Sequence, residues 1–219
     1  MKRVKISTNG LLINKKASIG IGAMIIFIAM ILVAGITASV IIQTMNSLQQ
    51  QAMKTGEETA KDISSGLKVT HVAGYNNGSK ITQIAIFLAL LSGSDDFNMT
   101  YVDISLSDTA TSAILSCNSS CFSSSVSGGL FGTLNSSNLS STTYGIMVVR
   151  DIDNSCSSAT LAINDDDLIV LLVNTSKCFS GLGTRTKVFG NVMSEYGIGG
   201  VISFTTPSAY IDTIMDLQP

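Results

Sequence analysis

The order of apolar and polar residues separates the beginning of the chain from the rest. Residues 18–53 carry no charged side chain, and the first twenty-five of them, through Ile42, are almost entirely apolar. A helix of about twenty residues crosses the hydrocarbon core of a bilayer. Apolar residues then recur at spacings of three and four as far as Leu67, among polar ones. The pattern predicts one helix over residues 18–68, hydrophobic first and amphipathic later.

Beyond Val69 the pattern changes to short strands. The segment "HVAGYNNGSK" contains turn dipeptides and predicts a turn at the boundary. The segment "YVDISLSD" alternates apolar and polar residues, as a half-buried strand does. The segment "ITQIAIFLALL" predicts a buried strand, although a buried helix has the same pattern. Further candidate strands are "YGIMVVRD", "DLIVLLVNT", "RTKVFGNVM" and "GVISFTTPS". Six or seven short strands without a clear helix between them predict an antiparallel β-sandwich over residues 69–219, and thus an α+β fold.

Charge is sparse and unevenly placed. Only 13% of the residues are charged, the net charge is −2, and five of the thirteen basic residues lie within the first seventeen positions. A secretory signal is cut after its apolar segment, whereas here the small residue Ala17 precedes that segment. A peptidase that cuts after Ala17 would leave the helix on the mature chain. The alternative is an uncut cytoplasmic tail that obeys the positive-inside rule. The residues of the candidate cleavage site are Lys15, Lys16, Ala17, Ser18 and Gly20.

Several stretches carry a family resemblance. The stretch "KKASIGIGAMIIFIAMILVAGITASVIIQTMNSLQQQAMKTGEETAKDISSGLKV" resembles the N-terminal region of archaeal flagellins, or archaellins. The likeness resumes in "DDDLIVLLVNTS", "TRTKVFGNVMSEYG" and "GVISFTTPSAYIDTIMDLQ". Ala17 departs from the Gly that is usual in the family before the cut. Bacterial type IV pilins resemble the same region but place a Glu where Gly22 stands, which favours an archaellin over a pilin.

This resemblance implies a structural subunit of the archaellum, the rotating motility filament of archaea. It implies a class III, type IV pilin-like signal peptide over residues 1–17, cut between Ala17 and Ser18 by a prepilin-peptidase-like aspartyl peptidase. The implied precursor is inserted in the membrane and is then added to an extracellular filament by the archaellum membrane platform and its assembly ATPase. The implied neighbours are copies of the chain or related archaellins, and the implied outer domain is an Ig-like β-sandwich. The expected polymerisation core comprises Gly22, Ile25, Phe27, Ile28, Ile31, Leu32, Gly35 and Val40. The alternative is a pilin-like adhesin or a membrane-anchored extracellular binding module.

Candidate modification sites lie in the predicted β domain. Sequons for N-glycosylation occur at Asn77, Asn98, Asn118, Asn135, Asn138 and Asn174, and archaellins that resemble this chain are often N-glycosylated. The four cysteines are Cys117, Cys121, Cys156 and Cys178. Outside a cell they are expected to form disulfides in one of three pairings, between which the sequence does not choose. A four-cysteine zinc site is a weaker interpretation because the usual C-x-x-C pairs are absent from the sequence.

Little in the sequence indicates enzyme chemistry. His71 is the only histidine, and it follows the predicted helix in a turn region. No glycine-rich phosphate loop of the required spacing is present in the sequence. Asp165, Asp166 and Asp167 are a weak candidate for a divalent cation site, since such a cluster is usually a polar turn. We therefore expect no enzyme, no cofactor, no metal and no nucleic-acid partner.

Overall fold

A computed structural model describes residues 9–219, with side chains from residue 19 onward. It separates the chain at Glu57/Glu58 into two compact units. The first unit is helical, and the helix α1 spans Asn9–Ser64. The predicted end near residue 68 is wrong by four residues, because Gly66 follows at a point where a Cβ atom would lie 2.7 Å from Leu91 Cδ1. Leu67 is therefore not part of the helical stripe but begins a strand, where it is buried.

The second unit is built mainly of strands. They are β1 (Leu67–Asn76), β2 (Ile81–Leu90), β3 (Phe97–Asn98), β4 (Asp103–Ser107), β5 (Ser112–Ser123), β6 (Thr143–Arg150), β7 (Ala162–Ile163), β8 (Leu168–Val173), β9 (Lys187–Met193), β10 (Gly200–Thr205) and β11 (Ile214–Gln218). A short helix, α2 (Thr175–Phe179), follows β8, and single 3-10 turns lie at Met99–Tyr101 and Ser136–Asn138. The main sheet has the strand order β10-β9-β4-β5-β6-β8-β2-β1-β11, and β3 pairs with β7. Neighbouring strands are antiparallel except β5 and β6, which are parallel.

The main sheet folds into two layers at β5. The first part of this strand, residues 112–115, pairs with β4, and the part from Ser116 onward pairs with β6. The outer strands of the two layers, β10 and β11, meet through one side chain. Gln218 accepts a hydrogen bond from the Ser203 backbone N–H at 2.8 Å and donates one to the Val201 carbonyl at 3.3 Å. The expected α+β architecture, a long helix followed by a mostly antiparallel β-sandwich, is confirmed.

The core between the layers contains one polar anchor. Tyr144 is fully buried, and its hydroxyl donates to the Val102 carbonyl at 2.6 Å. Burial raises the pKa of Tyr144, so the phenol stays protonated and remains a donor. This hydrogen bond joins β6 to the 3-10 turn that precedes β4.

The Ser- and Gly-rich segment 124–142 covers the outer face of β2, β8 and β6. Leu134 and Leu139 are buried there against Met147, Val170 and Leu172. Because β8 is covered on this face as well as on the core face, both of its sides are buried. This explains why its sequence, "LIVLLV", is apolar without alternation.

The strand predictions succeed where an apolar pattern is present. "ITQIAIFLALL" is confirmed as a strand, and β4, β6, β8, β9 and β10 fall within the predicted segments or one residue from them. The turn predicted from the dipeptides Asn76-Asn77 and Asn77-Gly78 is confirmed at residues 77–80, whereas residues 71–76 of the same segment belong to β1. Strands β5 and β11 and the helix α2 were not predicted.

Candidate assembly surface and polar sites

The helix α1 presents an apolar surface on all sides over its first part. Within the first unit, every described residue from Ile19 to Glu57 is exposed except Gly22, which is half-exposed. Among the expected core residues, Phe27 is 64% exposed and Ile28 55%. The helix has a mean hydropathy of 2.9 in its most apolar window and is long and apolar enough, by length and composition, to cross a membrane. A helix apolar on every face is stable only inside a membrane or among other apolar helices.

Two hydroxyl groups in this part of α1 are satisfied within the helix. The Thr37 hydroxyl donates to the Val33 carbonyl at 2.8 Å, and the Thr44 hydroxyl donates to the Ile41 carbonyl at 2.9 Å. Burial of the surface against apolar neighbours would therefore leave these donors paired.

Within the described part of the first unit, the glycines of α1 have no packing role. A Cβ atom built on Gly20, Gly22 or Gly35 would meet nothing within 4 Å. Glycine destabilises a helix interior by about 1 kcal/mol relative to alanine, so its use here needs a reason outside the monomer. Small residues on a helix allow close approach of a neighbouring helix. Gly22 and Gly35 thus indicate contact with another chain.

The side chains of four candidate cleavage-site residues, Lys15, Lys16, Ala17 and Ser18, are not among those that the structure describes. The fifth residue, Gly20, is exposed. Cleavage of the leader stays a prediction.

Four sequons share one local geometry. The side-chain carbonyls of Asn77, Asn98, Asn118 and Asn135 accept the backbone N–H two residues ahead, at 3.3, 3.0, 3.1 and 3.0 Å. That N–H belongs to the Ser or Thr of the same sequon. With the carbonyl oxygen engaged in this way, the side-chain nitrogen that would carry a glycan remains available in Asn77, Asn98 and Asn135. In Asn118 this nitrogen donates to Cys121 Sγ at 3.6 Å. Asn77, Asn98 and Asn135 are exposed, and so is Asn138, while Asn118 is half-buried.

Asn174 differs from the other sequons because it has a structural role. It is 7% exposed, its Nδ2 donates to the Ser136 carbonyl at 2.9 Å, and its Oδ1 accepts from the Lys177 backbone N–H. A glycan on Nδ2 would disrupt the contact with Ser136 and would have no room. This geometry argues against Asn174 as an acceptor.

All four cysteines are free thiols in the structure, so none of the three possible pairings is formed there. Cys121 packs on the outer face, with the residues covered by segment 124–142, whereas Cys117, Cys156 and Cys178 pack against the core between the layers. The irregularity in β5 between Cys117 and Phe122 places Cys117 and Cys121 on opposite faces. Burial raises the pKa of Cys117 and of Cys178 to about 11 and that of Cys156 to about 12. These thiols are therefore poor nucleophiles and poor zinc ligands at neutral pH.

One group of carboxylates lies close together beside the end of β6. Asp151, Asp153 and Asp167 bring one oxygen each within 4.8 Å of the others. Asp167 is only 2% exposed, and its Oδ1 has no hydrogen-bond partner. Its Oδ2 accepts from the Asn164 backbone N–H at 2.9 Å. Burial, together with the charges of Asp151 and Asp153, raises the pKa of Asp167.

This group could hold a divalent cation. Oxygen ligands at alternate positions, as in Asp151, Asp153 and Ser155, are typical of calcium-binding loops, and a cation would satisfy the unpartnered oxygen of Asp167. Of the three residues expected to form a weak cation site, only Asp167 belongs to the group. Asp165 instead accepts from the Ser92 hydroxyl at 3.2 Å, and Asp166 is exposed. The alternating spacing in "DIDNS" was the signal that could have identified the other ligands.

His71 takes part in a surface contact between strands. Its Nε2 lies 3.1 Å from Asp216 Oδ1, and its ring packs at 5.4 Å from the Phe87 ring. The imidazole thus joins β1 to β11, which is a structural role.

Comparison with known proteins supports the sequence resemblance. The profile of the family described as archaeal-type flagellin matches residues 17–204. Flagellin B2 of Methanocaldococcus jannaschii is 39% identical, over 94% of this chain and 96% of its own length. Flagellin B1 of Methanococcus voltae is 37% identical, with the same two coverages.

Solved structures are similar as well. The crystal structure of archaeal flagellin FlaB1 from Methanocaldococcus jannaschii is 30% identical and has a TM-score of 0.63, over 70% of this chain and 97% of that one. The archaeal flagellum of Methanospirillum hungatei has the same TM-score at 13% identity, over 90% and 98%, and shows a likeness of fold alone. The extent of the sequence match, the long apolar helix and the β-sandwich agree: the chain belongs to the archaeal-type flagellin family.

Proposed function

We propose that this chain, a structural filament subunit and not an enzyme, polymerises into the archaellum through α1 after loss of residues 1–17. The observation that carries the proposal is the exposed apolar surface of α1. In a filament this surface would be buried among the α1 helices of other subunits. The filament would lie outside the cell, as archaeal flagellins do. The rival interpretation, an adhesin or anchored binding module, gives no reason for Gly22 and Gly35, which contact nothing within the chain.

The size of the exposed surface supports the proposal. Complete burial of a large aliphatic side chain contributes about 1.5–3 kcal/mol. The side chains of Ile25, Phe27, Ile28, Ile31 and Leu32 are each more than half exposed. Together these five would gain on the order of 5 kcal/mol on burial, since roughly half of each is still to be covered. The same amount would be lost if these side chains faced water, so the surface must lie in lipid or among other apolar helices.

We propose that the same helix holds the precursor in the membrane before assembly. Transfer from lipid to a bundle of helices then moves an apolar surface between two apolar surroundings, so release from the bilayer is not prohibitive. The leader carries five cations, and a charge buried among apolar helices is expensive. Removal of the leader by a prepilin-peptidase-like enzyme would therefore permit assembly, which the archaellum platform and its ATPase would drive.

We propose that the β-sandwich forms the outer part of each subunit and bears glycans. The acceptors that the geometry supports best are the exposed Asn77, Asn98, Asn135 and Asn138. Asn118 stays a candidate, although its Nδ2 donates to Cys121 Sγ at 3.6 Å. We also propose a structural calcium site at Asp151, Asp153 and Asp167, for which the unpartnered Asp167 Oδ1 is the specific observation.

The test is the N-terminal residue and intact mass of the protein shed from the cell surface. We expect chains that begin at Ser18, sediment as filaments and exceed the mass of their sequence because of glycans. Loss of the gene should abolish swimming. Chains that begin at Met1 and occur only in membranes would contradict the proposal and return α1 to the role of an anchor. Loss of attachment with swimming intact would favour the adhesin.

A further inference from the structure

The β domain carries opposite charge at its two ends. Strands β2, β6 and β9 run in the same direction along the sheet, so the loops that follow them meet at one end. Two contacts confirm the meeting: Ser92 Oγ donates to Asp165 Oδ2 at 3.2 Å, and the Tyr196 hydroxyl donates to the Asp96 carbonyl at 2.6 Å. We call this the acidic end. Its exposed carboxylates outside the proposed calcium site are Asp95, Asp96, Asp165, Asp166 and Glu195.

Cations at the acidic end are few. Lys61 pairs with Asp95 at 2.7 Å, and Arg150 donates through Nε to the Asp166 carbonyl at 2.8 Å. Lys68 lies near the start of β1. The five exposed carboxylates outside the proposed calcium site already outnumber these three cations, so the end is negative.

The opposite end gathers the segments before β2 and β9 and after β8. Lys80 Nζ donates to the Ser180 carbonyl at 3.0 Å, and the Arg185 backbone N–H donates to the Thr206 carbonyl at 3.2 Å. We call this the basic end. Its exposed cations are Lys80, Lys177, Arg185 and Lys187. The carboxylates there are Asp108 and Asp212. The Asp108 carboxylate is engaged by the Ala110 and Thr111 N–H groups of its own turn.

The two ends cannot compensate one another within a single copy. Strand β2 runs between them with ten residues, which corresponds to about 33 Å at 3.3 Å per residue. The Debye length is about 8 Å at physiological ionic strength. Each end therefore keeps its own charge unless another molecule supplies the opposite one.

We propose that the acidic end of one β domain contacts the basic end of the β domain of a second copy in the filament. This inference rests on the proposed polymer. A contact between two different surfaces of identical chains is heterologous, and such contacts propagate without limit in helical filaments. A second copy of the chain is the binding partner that the charges favour, because each copy carries both an acidic end and a basic end. Surface ion pairs are individually weak, so the contact would add to the helix core rather than replace it, and would fix which subunits are neighbours.

The test uses filaments of the full chain made in archaeal cells that lack their own flagellins. The basic-end variant carries Lys80→Glu and Lys187→Glu, the acidic-end variant carries Asp166→Lys and Glu195→Lys, and a third variant carries all four changes. Ser203→Lys, at an exposed position of strand β10 between the two ends, is the matched control. The measurement is the temperature at which filaments dissociate, followed by sedimentation, with β-sheet circular dichroism to show that every variant is folded.

We expect each two-residue variant to dissociate at least 5 °C below wild type, and the four-residue variant to recover most of this loss, because complementarity is restored with the signs exchanged. A rise from 0.1 M to 1 M KCl shortens the Debye length from about 10 Å to about 3 Å. It should lower the wild-type temperature more than that of either two-residue variant. Wild-type stability in both variants, an equal loss in the control, or failure of the four-residue variant to recover would each overturn the contact. Absence of filaments from wild-type chain would instead contradict the proposed function.

Discussion

Replacement of Ile28 by Lys tests the assembly surface directly. Ile28 is 55% exposed in the isolated chain, so roughly 100 Å² of its surface must be covered by lipid or by other helices, which is worth about 2.5 kcal/mol relative to water at 25 cal/mol per Å². The substitution loses this gain and places an ammonium group among apolar helices, at a penalty of several kcal/mol. In a bilayer the long lysine side chain can reach toward the interface, and insertion scales give about 2.5–3.5 kcal/mol at the helix centre. The rest of the helix is apolar enough to offset that amount. We therefore expect synthesis and membrane insertion of Ile28→Lys without filaments.

The assay compares the membrane fraction with the sedimentable filament fraction, by immunoblot, for Ile28→Lys and for Ile28→Leu. The leucine variant keeps size and apolarity, and should assemble as wild type does. Normal filaments from Ile28→Lys would refute the assignment of this surface to the filament core. Loss of Ile28→Lys from the membrane fraction as well would show that the substitution blocks membrane insertion and not assembly alone.

Three further predictions concern the leader, the core and the proposed cation site. Lys16→Glu should leave uncut precursor in the membrane because it reverses a charge beside the predicted cleavage site; Lys16→Arg is the control, and normal processing of the Glu variant would contradict recognition of the basic leader. Tyr144→Phe should lower the free energy of unfolding by about 1–3 kcal/mol, since it leaves the buried Val102 carbonyl without this donor, as measured by thermal or denaturant unfolding; an unchanged stability would show that the hydrogen bond is not structural. Calcium should raise the melting temperature of the β domain, and Asp153→Asn should reduce the rise. Without calcium, the raised pKa of Asp167 makes the folded state bind more protons than the unfolded one above pH 3.8. The stability of wild type minus that of Asp167→Asn should then fall as the pH rises from 3.8 through the raised pKa, since Asp108 and Asp153, whose pKa values are lowered, act in the opposite direction in both proteins. A difference that rises over that range would contradict the burial of this carboxyl.

The sequence predicts those elements in which each face of the helix or strand meets a single kind of environment, either apolar or aqueous. The apolar half of α1 and the alternating strand β4 are of this kind. The predicted helix was too long because Leu67 continued the spacing, although Gly66 already occupies a site closed to any side chain. Only tertiary contacts with Leu91 and Ile198 define that site.

The strands that the sequence failed to predict lack a regular alternation of apolar and polar residues, and the structure shows why. In β1, Val72, Ala73 and Gly74 are buried in succession, so no alternation appears. Gly74 resembles a turn residue in the sequence, yet a Cβ atom there would lie 2.8 Å from Leu217 Cδ1. Strand β5 is rich in serine because it turns from one layer to the other and contains an irregularity. The bend of β5 depends on its pairing with β4 and then with β6, which residues within β5 alone do not reveal.

The candidate sites show the same limit. The sequon pattern is local and was found in full, but burial of Asn174 depends on Ser136 in the covering segment. Of the predicted cation ligands Asp165, Asp166 and Asp167, only Asp167 belongs to the proposed cation site, because its other carboxylates come from the end of β6. The grouping of Asp151 and Asp153 with Asp167 is a product of the fold.

The pairing of β1 with β11 has a consequence for the time course of biosynthesis. The contact between His71 and Asp216 joins residues separated by 145 positions, and β11 ends at Gln218, next to the last residue of the chain. At 5–20 residues per second, a ribosome needs roughly 7–30 s to make the intervening stretch. During this interval α1 is already complete, whereas the strand that finishes the sheet does not yet exist. The apolar helix can thus be delivered to the membrane before the β domain is able to close.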